Sequence, residues 1–310
     1  MRRIKFRKPY KLKNYRFGLV ALVLVLSIIG ILVVGSANES YQNKQIFGVV
    51  IGLVVMAIVS LIDYVWIANF YWILYGMSVF MLAIVLIPGI GVYVNGARRW
   101  INLGFTNFQP SELAKILLII FFAKFIMKHE EDLSEKQTIL KAVVLIAIPL
   151  ALIFKEPNLS TTICTATLFC FLMYVGGLSY RFIGTVLLIT IPVAVIFLSI
   201  VVQPNQKLLD NYQQKRILAW LEPEKYASDE AYQQINSVMA IGSGQLTGKG
   251  LNNNTTTSVK NGNFILEPQT DFIFAIVGEE LGFLGCCLII ALLLLIVIDC
   301  ILIGTHAQDT

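Results

Sequence analysis

The sequence predicts an all-α fold, a polytopic integral membrane bundle of about eight transmembrane helices. Three observations carry that prediction. Of the 310 residues, 57% are hydrophobic and only 14% charged, with a mean hydropathy of +0.75, far more apolar than a water-exposed domain requires. The apolar residues gather into runs long enough to cross a hydrocarbon core, which takes about 20 residues of helix. Finally, Arg2, Arg3, Lys5, Arg7, Lys8, Lys11, Lys13 and Arg16 all precede the first such run. That placement is a topology signal and not a nucleic-acid footprint, so no nucleic-acid partner is expected.

The runs follow in order. The first, Phe17–Ala37, is longer than the apolar part of a signal peptide and has no convincing cleavage site, so it reads as a span. Further spans are expected at 45–62, 66–87, 110–127, 138–154, 159–176, 181–202 and 272–304. Residues 1–16 then form a basic cytoplasmic tail, and 17–310 a single transmembrane domain. With the N-terminus inside, alternation puts 38–44, 89–109, 155–158 and the large loop 203–271 outside. Lys128, Lys136, Lys141 and Arg181 fall at inner ends, as the positive-inside rule asks.

Two outer loops carry more than a connection needs. Residues 89–109 (GIGVYVNGARRWINLGFTNFQ) combine glycines for tight turns with the pair Arg98 and Arg99 and with Trp100; interfacial anchoring and ligand binding are both open readings. The following helix opens with Pro110 in its first turn and sets Glu112 and Lys115 three apart on one face, as a structural ion pair or as the lining of a polar cavity. In the large loop, 212–221 reads as a short amphipathic helix with Ile217, Leu218, Trp220 and Leu221 toward lipid. A second helix is expected to start at the N-cap Ser228, with Asp229 and Glu230 in its first turn, and to end at Gly242 and Gly244. Residues 242–250 (GSGQLTGKG) resemble a nucleotide phosphate loop superficially, but Ser243 and Gly250 stand where Gly and Ser or Thr are needed, and no strand precedes them. Glycine N–H groups beside Lys249 could still receive a lipid-linked phosphate. The segment NLSTT (158–162) reads as a helix cap.

The most informative stretch is 264–285, FILEPQTDFIFAIVGEELGFLG. Glu267 and Asp271 stand before a long apolar run, and Glu279 and Glu280 follow inside it. Acids are costly in a bilayer, which makes them functional candidates. Asp271 also has a plain alternative as the N-cap of the next helix. The five cysteines all lie within apolar runs, and the two histidines, His129 and His306, lie in polar stretches, so neither a disulfide framework, a zinc site nor a histidine-based triad is expected.

The chain resembles the shape, elongation, division and sporulation family of membrane glycosyltransferases. The motifs are GARRWINLG (96–104), QPSELAK (109–115), EPNLSTT (156–162), YQQIN and AIGSGQLTGKGL (232–236 and 240–251), and EPQTDFIFAIVGEELGFLG (267–285). The resemblance implies polymerisation of lipid II, an undecaprenyl-pyrophosphate-linked disaccharide pentapeptide, into peptidoglycan at the outer face of the bacterial cytoplasmic membrane. It implies a class B penicillin-binding protein and other divisome or elongasome proteins as partners, with the wording closer to the division type. It assigns Asp271 as the essential aspartate and places Glu112 and Lys115 in a central cavity. Such chemistry needs a base for the acceptor hydroxyl, for which Asp271 in a partly dehydrated site is the choice. The substrate-binding set is then Arg98, Arg99, Glu112, Lys115, Lys249 and Glu267, with Mg2+ or Mn2+ on Asp271 and Glu112. Family members have ten spans, so the last two are expected to be missing here. A lipid II transporter and a non-catalytic divisome scaffold are the competing readings.

Overall fold

The computed structural model describes residues 15–306 apart from 95–96, 103, 105–106, 204–205, 207–208, 210, 229–230, 254–257, 259–261 and 263. The basic residues at 2–13 and the acidic pair Asp229 and Glu230 therefore lie outside the described residues, as do Gly96 and Leu103 of the arginine loop.

Every apolar run is helical. In chain order the helices are α1 (Phe17–Ala37), α2 (Glu39–Ser60), α3 (Tyr64–Asn69), α4 (Tyr71–Val85), α5 (Pro110–Lys128), α6 (Lys136–Lys155), α7 (Leu159–Val175), α8 (Tyr180–Val201), α9 (Asn211–Leu221), α10 (Tyr232–Ser243) and α11 (Ile273–Thr305). Five of them, α1, α2, α6, α8 and α11, are long and apolar enough to cross a membrane. The helices α4 and α7 are apolar but shorter, and α5 carries Glu112, Lys115, Lys124 and Lys128.

Three expectations about boundaries are corrected. The outer loop placed at 38–44 is reduced to Asn38, the C-cap of α1, because Glu39–Lys44 joins α2; Glu, Gln and Lys are polar yet good helix formers, and polarity alone had suggested a loop. The third run is broken at Phe70 into α3 and α4, and Asp63 caps α3 by accepting from the Val65 N–H at 2.9 Å. The helix expected from Ser228 starts at Tyr232, and its N-cap position, Ala231, offers no side-chain cap.

The chain divides into two compact units, 58–198 and, together, 1–57 with 199–310; the divisions fall within α2 and α8. The 58–198 unit is organised around α5. Phe121, Phe122 and Phe125 are buried against Tyr75 of α4, Ile139, Ala142 and Ile146 of α6, and Met173 of α7. Ring centroids lie 4.6 Å apart for Tyr75 and Phe121 and 5.0 Å for Phe122 and Phe169, distances at which aromatic pairs attract. The Tyr75 hydroxyl donates to the Leu145 carbonyl at 2.9 Å, which satisfies its polar end. In a membrane the gain from these rings comes from close packing with one another and not from withdrawal from water.

Between α4 and α5 the glycine-rich loop forms a small antiparallel sheet, β1 (Gly91–Val94), β2 (Ala97–Asn102) and β3 (Asn107–Phe108), in the order β1-β2-β3. Gly91 has to be glycine, since a Cβ there would sit 2.0 Å from the Val85 carbonyl oxygen.

In the other unit α1 and α11 run antiparallel. Arg16 at the start of α1 pairs with Asp299 near the end of α11 at 3.8 Å, while Ser36 near the end of α1 meets Glu280 near the start of α11. Val33, Ile276, Val277 and Cys286 fill the space between. Ala240 of α10 packs with Ala275 and Ile265. The side-chain amide of Gln214 fixes α9 by donating to the carbonyls of Val201 and Gln203 at 2.8 and 2.9 Å. Trp220 of α9 is 68% exposed and Leu221 is exposed too, as an interfacial helix requires, while Ile217 and Leu218 are half-buried.

Candidate functional site

Asp271 lies immediately before α11. The N-cap position belongs to Phe272, and Asp271 makes no capping bond, so the cap reading is set aside. Its backbone N–H reaches the Glu267 carbonyl at 3.3 Å, and Thr270 donates to the same oxygen through its N–H and its hydroxyl, each at 3.1 Å. Glu267 thus closes the turn that delivers Asp271, from a left-handed backbone of φ 51°. Its carboxylate accepts from the Gln269 side-chain amide. The Asp271 carboxylate is exposed and has no hydrogen-bond or ion-pair partner among the described residues. Within its own unit Asp271 is thus not dehydrated: its backbone is tied to Glu267 in the turn ahead of the helix and its side chain is exposed.

Lys249 is engaged elsewhere. Its Nζ lies 2.9 Å from Glu279 Oε1, and Ser258 donates to the other oxygen at 3.3 Å. The neighbouring acid, Glu280, takes the Ser36 hydroxyl at 2.6–2.7 Å, and the Ser36 oxygen accepts the Asn252 N–H at 3.0 Å. Both acids are buried, at 0% and 1% exposure. Their cost in a membrane helix is offset by these partners.

In the 58–198 unit, the Lys115 Nζ lies 2.9 Å from Glu112, as the i,i+3 spacing predicted; Glu112 is the exposed member at 58%. Below the pair, Lys115 heads an apolar crevice lined by Leu118, Ile119, Phe122, Ile146 and Thr165. Strand β2 presents Arg98 and Arg99. The Arg99 guanidinium donates to the Glu156 carbonyl at 3.1 Å and to the Pro157 carbonyl, so it ties the sheet to the turn between α6 and α7. Asn158 caps α7 by accepting from the Thr161 N–H at 3.3 Å, as the sequence indicated.

Sequence reasoning passed over Glu156. It is fully buried, and neither carboxylate oxygen has a hydrogen-bond partner among the described residues. Burial pushes its pKa up from the usual 4.5 to about 8, against a smaller downward pull from Arg99. A single acid at the junction of two apolar runs looks, in sequence, like any other loop carboxylate. Among the described residues no three His, Cys, Asp or Glu side chains are grouped to hold a metal. Glu112, paired with Lys115, lies in the 58–198 unit and Asp271 in the other.

The long apolar helices, with an exposed aspartate just ahead of the last of them, define the class as a multi-pass helical membrane protein. The chain belongs to the FtsW/RodA/SpoVE family, described as cell cycle protein, whose model matches residues 11–310. It is 33% identical over 300 residues to the peptidoglycan glycosyltransferase MrdB of Escherichia coli (strain K12), covering 94% of this chain and 76% of that protein. It is 31% identical over 277 residues to the probable peptidoglycan glycosyltransferase FtsW of Taylorella equigenitalis (strain MCE9), covering 88% and 72%. Relatives of both names occur at similar identity, so similarity does not separate a division role from a shape role. Its fold is similar to that in a structure described as "Structural coordination of polymerization and crosslinking by a peptidoglycan synthase complex", with a TM-score of 0.77 at 24% identity, over 96% of this chain and 80% of that one. It is also similar to the Rod shape determining protein RodA of Thermus thermophilus, with a TM-score of 0.63 at 22% identity, over 96% and 78%. Peptidoglycan glycosyl transfer is the activity that defines this class.

Proposed function

We propose that this chain polymerises lipid II at the outer face of the cytoplasmic membrane, with Asp271 as the base that takes the proton from the acceptor sugar hydroxyl. The observation carrying this reading is the contrast among the acids of 264–285. Glu279 and Glu280 are buried and partnered, and Glu267 is held by Gln269, whereas Asp271 is presented at the start of α11 with its carboxylate uncommitted among the described residues. As the hydroxyl oxygen attacks the anomeric carbon of the donor, its proton passes to Asp271 and the pyrophosphate leaves with the bonding electrons. The leaving group needs positive charge beside it, a role for which the resemblance to the family offers Arg98 and Lys115. Arg99, bonded to two backbone carbonyls, holds the loop that carries Arg98.

For the divalent cation, Asp271 offers an exposed carboxylate and Glu112 one shared with Lys115, and magnesium commonly binds through one or two carboxylates together with substrate phosphates. Such a cation would neutralise charge on the pyrophosphate. A class B penicillin-binding protein is the partner this reading implies, and the eight basic residues ahead of α1 support a cytoplasmic N-terminus.

The test is glycan-strand formation from lipid II by purified protein in detergent, with Mg2+, Mn2+ or chelator, comparing the parent with Asp271→Asn. Loss of product in a variant of unchanged thermal stability is the expected result. Product at parental rates from Asp271→Asn refutes the assignment.

A further inference from the structure

Helix α11 is interrupted at Gly282, whose backbone (φ 66°, ψ −164°) no helix contains. In an unbroken helix the N–H groups of Phe283 and Leu284 would bond to the carbonyls of Glu279 and Glu280. Here they bond to the carbonyls of Gln245 and Leu246, at 2.8 and 3.1 Å. The vacated carbonyls of Glu279 and Glu280 receive the N–H groups of Lys249 and Gly250, both at 2.9 Å. Residues 245–250 have therefore entered the helix break and exchanged four backbone hydrogen bonds with it. Glycines make the approach close enough: a Cβ on Gly248 would lie 2.2 Å from the Glu280 carbonyl oxygen, and one on Gly282 would lie 2.3 Å from the Gly248 nitrogen. The side chains repeat the connection, with Lys249 on Glu279 at 2.9 Å and Glu280 on Ser36, which in turn holds the Asn252 N–H.

We infer that Lys249 is a positioning residue: paired with Glu279, it locks residues 245–250 into the break in α11 and so fixes the direction of the short segment 273–281, at whose head Asp271 stands. This rests on the reading of Asp271 as the base. The segment is about two and a half turns long, and it is held at its far end by the exchanged bonds. A change in its tilt moves the carboxylate directly. The role differs from phosphate binding, which the glycine-rich sequence around Lys249 had suggested, because the ammonium group is spent on a fully buried acid.

Two experiments on the full chain test the inference. Hydrogen exchange in detergent reads the amides of 279–284, and lipid II kinetics read kcat and KM. Lys249→Met is expected to speed exchange at 279–284 at least tenfold and to lower kcat tenfold or more, with KM within about twofold of the parent. Adding Glu279→Gln removes the buried charge that has lost its ammonium partner, so the double variant is expected to recover folded yield and part of kcat. Lys225→Met, which breaks an exposed pair with Glu222, serves as the control and leaves both readouts unchanged. A raised KM with unchanged exchange in Lys249→Met, and no recovery on adding Glu279→Gln, overturns positioning in favour of direct phosphate binding. Should Lys249→Met not fold, Lys249→Arg is expected to keep slow exchange and near-parental kcat, and fast exchange in it overturns the proposal. Parental activity in Asp271→Asn would overturn the catalytic reading itself, and with it the claim on rate, independently of the exchange result.

Discussion

Replacing Glu156 by Gln isolates the buried carboxyl at the turn between α6 and α7, which has no hydrogen-bond partner among the described residues. Burial raises its pKa from 4.5 to about 8, so between these values the unfolded chain has released the proton while the folded chain keeps it. The folded state then binds more protons than the unfolded one, and stability falls as pH rises through that window. A displacement of about 3.5 pH units at about 1.4 kcal/mol each sets a ceiling of about 5 kcal/mol. Relaxation of the surroundings takes up part of it, which leaves about 2–3 kcal/mol. Glutamine has the same shape and no proton to lose. Parent and Glu156→Gln should melt together near pH 5 and separate by about 4–6 °C by pH 8.5, with the variant the more stable, at about 2 °C per kcal/mol for a chain of this size. The assay is tryptophan-fluorescence melting in detergent from pH 5 to 9. Parallel curves, or a parent that gains on the variant as pH rises, would refute the assignment of a neutral buried Glu156.

Further outcomes follow from other contacts. Arg99→Gln removes two hydrogen bonds to the carbonyls of Glu156 and Pro157 and should cost about 2–4 kcal/mol in thermal stability. It also removes the downward pull on Glu156, so the upper end of the pH window in the preceding experiment should rise while its lower end, set by the unfolded chain, stays in place. Gly248→Ala places a Cβ against the Glu280 carbonyl and should abolish folded yield in detergent, whereas Gly250→Ala, with an equally left-handed φ of 92° but open space around it, should cost only about 1–2 kcal/mol. Asp271→Asn should leave the melting temperature within about 1 °C, because the side chain is exposed, while glycan synthesis is lost.

Apolar runs of about 20 residues dictate helices whatever surrounds them, because only internal hydrogen bonding satisfies the backbone in lipid. The sequence by itself therefore determined the helical class and the approximate place of each apolar run, and also the Pro110 start of α5, the Glu112 and Lys115 pair and the Asn158 cap, the last three of which depend on residues within a turn of one another. It also singled out the acidic stretch 264–285, since charge stands out against an apolar background. Only the tertiary structure decided which of those acids are structural: the partners of Glu279 and Glu280 lie 30 and 244 positions away, at Lys249 and Ser36, and no local pattern encodes them. The same holds for the three-stranded sheet in the arginine loop, the grip of Arg99 on the α6–α7 turn 57 residues downstream, and the break at Gly282, a glycine that in sequence is indistinguishable from any other in a membrane helix. Burial is a property of what packs around a residue, so the burial of Glu156 and the exposure of Asp271 could be read only once distant segments had been brought together.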